Sequence, residues 1–270
     1  MPRLEETFAA LRAQGRAGLV TYVTAGDPDL DRSAQVILAL DRAGADVLEV
    51  GVPFSDPVAD GPVIARAAER ARAAGGTLAT TLDLVARVRP AVRAPIVLFT
   101  YVNPVLAMGE GRFAARARAA GADAVLALDL PLEEAGLFRR TMASAGLDLV
   151  FLLSPTTTDE RIARAADLGS GFLYAISRLG VTGARDAVPP AARALVERIR
   201  RRTSLPVALG FGLSRPDHVR QVGRFADAAV VGSALVSVIA EAAASPELIP
   251  RVEQFVRRLR EPGDGRTEAP

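Results

Sequence analysis

A lone carboxylate inside an apolar segment is the first feature of this chain with chemical potential. Glu49 lies within Val47-Leu48-Glu49-Val50-Gly51-Val52. Burying its charge among such neighbours is costly, so its pKa is expected to rise and the group to move protons near neutral pH. The competing reading is a structural acid paired with one of the many arginines. Two further acids, Asp56 and Asp60, follow in the loop Pro53-Phe54-Ser55-Asp56-Pro57-Val58-Ala59-Asp60-Gly61-Pro62. Loop acids commonly bind their own backbone or cap the next helix, and Asp60 before Gly61-Pro62 suits that task as well as a chemical one.

Three glycine-bearing segments later in the chain are suited to an anion: Gly180-Val181-Thr182-Gly183, Gly210-Phe211-Gly212-Leu213-Ser214 and Gly232-Ser233. Backbone N–H groups at glycine turns and at a helix N-terminus converge on phosphate without needing a charged side chain. Each segment alone is a weak signal, whereas all three at successive strand ends point to a phosphorylated substrate. The stretch from Ser177 to Pro190 is long for a connection and carries Gly180 and Gly183 beside Arg178 and Arg185. It reads as a lid over the phosphate or as a flexible surface loop.

Composition removes whole classes of chemistry. The 270 residues include no cysteine and a single histidine, His218, and all 33 basic residues are arginine. Thiolate nucleophiles, disulfides, lysine Schiff bases and multi-histidine metal centres are therefore excluded, and no clustered acids suggest a carboxylate-held metal. The 33 arginines are mixed with 31 acids for a net charge of +2, which does not describe a nucleic-acid surface. The cluster Arg200-Arg201-Arg202 reads as a solvated helix end. No apolar run approaches a membrane span, and the first residues lack the order of a signal peptide, so a soluble cytoplasmic protein is expected.

The elements that must position these groups follow from one recurring phrase. Ala43-Gly44-Ala45-Asp46-Val47, Ala120-Gly121-Ala122-Asp123-Ala124 and Ala145-Gly146-Leu147-Asp148-Leu149 each end a helical pattern at glycine and begin an apolar run. Glycine is what a helix end prefers, and continuous apolar runs are what strands covered on both faces look like. Strands are expected near 18–24, 46–52, 95–101, 123–129, 148–153, 171–176, 205–210 and 227–231. Helical patterns between them include 32–43, 111–120, 133–145, 159–168 and 190–202. Eight such alternations predict an α/β fold, a (β/α)8 TIM barrel with an extra N-terminal helix at 3–14 and extra helices between 63 and 90. An open doubly wound sheet is the alternative, though no G-x-G-x-x-G follows the first strand. One domain over 1–261 and a disordered tail over 262–270 complete the expected organisation.

The run Leu48-Glu49-Val50-Gly51-Val52-Pro53-Phe54-Ser55-Asp56-Pro57 with Ala59-Asp60-Gly61-Pro62 resembles the signature of the tryptophan synthase alpha subunit family. Further agreement lies in Ala25-Gly26-Asp27-Pro28, Tyr101 with Asn103-Pro104, Asp129-Leu130-Pro131, Ser177-Arg178, Gly210-Phe211-Gly212 and Gly232-Ser233-Ala234. The resemblance implies cofactor-free retro-aldol cleavage of indole-3-glycerol phosphate to indole and glyceraldehyde 3-phosphate. It makes Glu49, Asp60 and Tyr174 the catalytic residues, with phosphate on Gly183, Gly212, Gly232 and Ser233. Tyr22, Phe99, Leu126, Leu152 and Phe211 would wall the indole pocket, and Arg178, Gly180 and Thr182 would belong to the lid. It also implies a beta-subunit partner in an alpha2-beta2 tetramer, with pyridoxal phosphate only in that partner. The contact surface would include the Asp56 loop and the segment around Asn103-Pro104. A free-standing lyase or a non-catalytic partner-binding barrel are the alternatives. Two residues depart from the family pattern: Thr21, where proline is common, and Ala65, where glutamine is common.

Overall fold

The computed structural model describes residues 2–176, 189–210 and 212–261. Its strands are β1 (Gly18–Thr24), β2 (Val47–Gly51), β3 (Ile96–Thr100), β4 (Ala124–Ala127), β5 (Asp148–Leu149), β6 (Phe151–Leu153), β7 (Leu173–Ile176), β8 (Val207–Gly210) and β9 (Ala228–Val231). All pair in parallel, in the order β5-β4-β3-β2-β1-β9-β8-β7-β6. β5 and β6 share one strand position, interrupted at Val150, whose N–H still bonds the Val125 carbonyl of β4 at 2.9 Å. Phe151 then takes up pairing with Leu173 of β7. The circuit therefore has eight positions, a (β/α)8 barrel, and the open doubly wound sheet is excluded.

The helices are α1 (Arg3–Ala13), α2 (Leu30–Ala43), α3 (Pro62–Ala73), α4 (Leu78–Val88), α5 (Val102–Met108), α6 (Glu110–Ala120), α7 (Ala135–Ser144), α8 (Asp159–Leu168), α9 (Pro190–Arg200), α10 (Pro216–Gly223), α11 (Ser233–Glu241) and α12 (Leu248–Arg260). α1 is the expected N-terminal extra, and α3 with α4 fill the long interval after β2. α7 starts two residues later than its apolar pattern suggests, because the Glu134 N–H closes a turn onto the Pro131 carbonyl at 3.0 Å. Arg200 and Arg202 are ion-paired to Asp227 at 3.1 Å and to Asp159 at 3.6 Å, as befits a solvated helix end.

The recurring glycine-to-aspartate phrase has a geometric purpose. α2 and α6 stop at Gly44 and Gly121, both left-handed at φ 100° and 90°, a conformation glycine adopts without penalty. The aspartate two residues on then locks onto the preceding strand. Asp46 donates its N–H to the Leu19 carbonyl and accepts the Leu19 N–H on Oδ2, both at 2.8 Å. Asp123 makes the same reciprocal pair with Ile96, and Asp227 makes it with Val207. Each aspartate thus satisfies a strand-starting N–H that the ladder leaves open and fixes the register of the strand it begins.

Alternation along the strands sends one set of side chains into the barrel. Val20, Val47, Val97, Ala124, Leu126, Val150, Tyr174, Ala208, Ala228 and Val230 form one interior cluster, and Leu4, Phe8 and Leu11 of α1 belong to it. Phe8 meets Phe172 with ring centroids 5.7 Å apart, so α1 covers the N-terminal end of the barrel. The opposite end is left for the loops. Among the described residues, no helix is long and apolar enough to cross a membrane.

Candidate active site

Glu49 stands in β2 directly beside Tyr22 of β1 and Val97 of β3. It is 1% exposed, and its Oε1 has no hydrogen-bond partner. Burial alone pushes its carboxyl up to about 8. No arginine pairs with it among the described residues, so the structural-acid alternative lacks the partner it requires. A buried, unsatisfied carboxyl is expensive to keep, and its open oxygen faces the interior of the barrel.

Asp60 sits in the loop between β2 and α3. Its carboxylate does not cap that helix, whose N-cap is Gly61 with no side-chain hydrogen bond. Instead, the Tyr101 hydroxyl donates to Asp60 Oδ2 at 3.2 Å and accepts the Ala59 N–H at 3.1 Å. Burial raises the Asp60 carboxyl to about 6, opposed by the Tyr101 hydrogen bond. The Tyr101 ring lies against Phe54 at a centroid distance of 5.1 Å, tying both ends of the loop to the end of β3.

A second tie holds the mouth. Arg70 of α3 grips Asp27, in the loop after β1, with two hydrogen bonds of 2.8 Å. Asp27 is 3% exposed. This fork-to-carboxylate geometry is rigid, and it fixes α3, and with it the loop carrying Asp60, against the end of β1.

Tyr174 of β7 is 6% exposed, and burial together with the charge of Glu49 raises its pKa well above the ordinary value. Its hydroxyl fills the notch left by Gly210, where a Cβ would overlap it. Tyr22 and Gly51 stand in the same relation. Tyr22 meets Phe99 edge to face at 5.2 Å, and Leu126 and Leu152 project inward from β4 and β6. Gly212, left-handed at φ 78°, follows β8, while Gly232 follows β9 and precedes Ser233, the first residue of α11. These glycines and the α11 N-terminus lie at neighbouring strand ends, where an anion is favoured.

The structure therefore brings Glu49, Asp60, Tyr174, Tyr22, Phe99, Leu126, Leu152, Gly212, Gly232 and Ser233 to the same end and interior of the barrel. The expected Arg178, Gly180, Thr182, Gly183 and Phe211, and the tail 262–270, lie outside the described residues. Thr21 faces away from the interior, opposite to its neighbours Val20 and Tyr22, and its buried Oγ1 has no partner. Ala65 lies in the first turn of α3 and its N–H bonds the Gly61 carbonyl. Sequence reasoning missed Tyr101 and Arg70 as the groups that hold the acids' loops. The signals present were Tyr101 at the end of the expected strand 95–101 and its place beside Asn103-Pro104 in the family resemblance. Among the described residues, no group of three or more histidine, aspartate or glutamate side chains is placed to hold a metal ion.

Residues 8–261 match the family described as tryptophan synthase alpha chain. A tryptophan synthase alpha chain of Citrifermentans bemidjiense is 49% identical over 261 residues, 97% of this chain and 97% of that one. The tryptophan synthase subunit alpha of Legionella pneumophila str. Paris superposes with a TM-score of 0.89 at 36% identity, covering 96% of this chain and 97% of its own. A chain of Mycobacterium tuberculosis tryptophan synthase gives 0.89 at 38% identity, with 95% and 96% covered. Likeness of this extent in both sequence and barrel topology, together with the signature around Glu49 and Asp60, has one consequence: the chain belongs to the tryptophan synthase alpha chain family.

Proposed function

We propose that this chain is the lyase that cleaves indole-3-glycerol phosphate to indole and glyceraldehyde 3-phosphate, as the alpha subunit of a tryptophan synthase in tryptophan biosynthesis. The observation that carries the reading is Glu49, a buried and unpaired carboxyl with a pKa near 8, in the same barrel mouth as the second acid, Asp60. At neutral pH Glu49 holds a proton and Asp60 does not, which divides the acid–base work between them. Glu49 gives its proton to ring C3. The ring becomes cationic, and the Asp60 carboxylate, accepting the ring N–H, stabilises that charge. Glu49, now ionised, takes the proton of the glycerol hydroxyl next to the ring. The electron pair left on that oxygen forms the aldehyde as the bond to C3 breaks, and Glu49 is returned to its starting state.

Tyr174 stands beside this exchange, its hydroxyl held over Gly210. Gly212, Gly232 and Ser233 receive the phosphate, joined by Gly183. Every step uses carboxylate, hydroxyl and backbone groups of this chain, so the reaction needs no cofactor here. Condensation of indole with an amino acid requires pyridoxal phosphate on a lysine, and this chain has none. That step falls to a beta subunit, in an assembly of two alpha and two beta chains in the cytoplasm. Two of the large exposed apolar side chains support a docking face at the mouth. Val58, 85% exposed, lies in the Asp56 loop, and Leu106, 55% exposed, follows Asn103-Pro104 on α5.

The test is to assay the purified chain with indole-3-glycerol phosphate, alone and with its own organism's beta subunit. Release of indole that is lost in Glu49→Gln by about 10²–10⁴-fold or more is the expected result. Turnover with neither acceleration by the beta subunit nor complex formation replaces the subunit reading with that of a free-standing lyase.

A further inference from the structure

Tyr22 does more in this geometry than a pocket wall requires. Its Cβ would lie 3.4 Å from a Cβ built at Gly232, on the phosphate side of the mouth. Its ring edge rests on Phe99, and its hydroxyl reaches across to the space above Gly51, one inward position beyond Glu49 on β2. The ring therefore spans from the phosphate end to the acid end of the site, and a chain joining phosphate to indole must pass along it. A phenylalanine would make the same apolar contacts, so packing does not explain the hydroxyl.

That hydroxyl is poorly satisfied. Its one hydrogen-bonding contact among the described residues is Thr24 Oγ1 at 3.4 Å, beyond the usual range of about 2.5–3.0 Å for paired hydroxyls. Thr24 is 2% exposed and Tyr22 is 5% exposed, so neither group is fully hydrated in compensation. Burial and the nearby charge of Asp60, joined by Glu49 once it ionises, keep the phenol protonated, hence a donor, throughout the working range. A buried donor with spare capacity is matched by a ligand acceptor, and a ligand lacking one leaves it unpaired.

Resting on the function proposed above, we infer that Tyr22, backed by Thr24, is a specificity-determining residue that hydrogen-bonds a hydroxyl of the substrate's glycerol chain. Binding is thereby biased toward indole phosphates whose linking chain carries hydroxyl groups.

The experiment compares wild type with Tyr22→Phe, which keeps the ring and its Phe99 contact. Cleavage of indole-3-glycerol phosphate is measured beside the dissociation constant of 3-(indol-3-yl)propyl phosphate, which has the same ring, chain length and phosphate but no chain hydroxyl. The expected result is a fall of about 3–15-fold in kcat/KM, as one hydrogen bond allows, with the dissociation constant of the deoxy analogue unchanged. Thr24→Val should show the same pattern more weakly, and Thr24→Ser should restore wild-type values. Equal losses on both ligands would make Tyr22 a packing residue, and no loss on either would remove it from recognition; both outcomes overturn the inference. Wild-type protein that does not cleave the glycerol phosphate would overturn the functional reading as well, whereas active wild type matched by Tyr22→Phe would overturn this inference alone.

Discussion

The Tyr101 hydroxyl bridges two parts of one loop, donating to Asp60 Oδ2 at 3.2 Å while accepting the Ala59 N–H at 3.1 Å. That single group orients the carboxylate and lowers its proton affinity against the opposing effect of burial. Tyr101→Phe is expected to raise the pKa of Asp60 and to reduce kcat/KM near pH 6 by about 3–15-fold. A pH–rate profile of the variant checks this: its acid limb should move to higher pH, which a merely loosened loop would not do.

Wild-type kcat/KM should follow a bell. In the proposed mechanism Asp60 is ionised to stabilise the cationic ring, so activity should rise with pH through about 6. In the same mechanism Glu49 begins protonated, so activity should fall as pH passes about 8. The two limbs report the free enzyme's acid and base. Steady-state rates between pH 5 and 9.5 test the assignment, and activity that keeps rising above pH 9 would assign Glu49 to the opposite starting state.

The same carboxyl makes stability depend on pH. Its folded pKa, about 8, lies above its ordinary value of 4.5. The stability linked to its protonation is therefore fully present below pH 4.5 and is lost as pH rises through 8, because the unfolded chain releases the proton first. Glu49→Gln abolishes that loss. Denaturant titrations should show the variant more stable than wild type at pH 8.5, by on the order of a few kcal/mol, with the gap closing toward pH 5.

Thr21 offers a change outside the chemistry. Its Oγ1 is fully buried between β1 and the surrounding helices without a partner. Thr21→Val preserves the shape and removes the unsatisfied hydroxyl, so a gain of about 1 kcal/mol in unfolding free energy is expected. Chemical denaturation at neutral pH provides the measurement, and a destabilised variant would mean that the hydroxyl finds a partner in solution.

The fold was legible because one short phrase encodes two events. A glycine that ends a helix and an aspartate that starts a strand recur at Gly44 with Asp46 and at Gly121 with Asp123, so counting phrases counts barrel units. Strand starts read one residue early at Asp46, Asp123 and Asp227, where the side chain occupies the ladder position that the backbone vacates. The interruption at Val150 left no trace, since transferring hydrogen bonds from one neighbour to the next changes nothing in an apolar run. Within the site, Glu49 was visible because an acid among valines is an anomaly. The ties at Tyr101 and Arg70 were not, because each joins segments more than forty residues apart, at separations of 41 and 43, and only the closed barrel brings them together.

The first helix gives the molecule the form of a stoppered vessel. Leu4, Phe8 and Leu11 fill the floor from below, and side chains occupy the interior between the floor and the acid layer. On the proposed reading a small apolar product forms beside Glu49, and among the described residues the packed floor leaves it no outlet downward, so its direction of travel is decided before any partner arrives. Whatever receives it must stand at the rim, which is where Val58 and Leu106 are left uncovered.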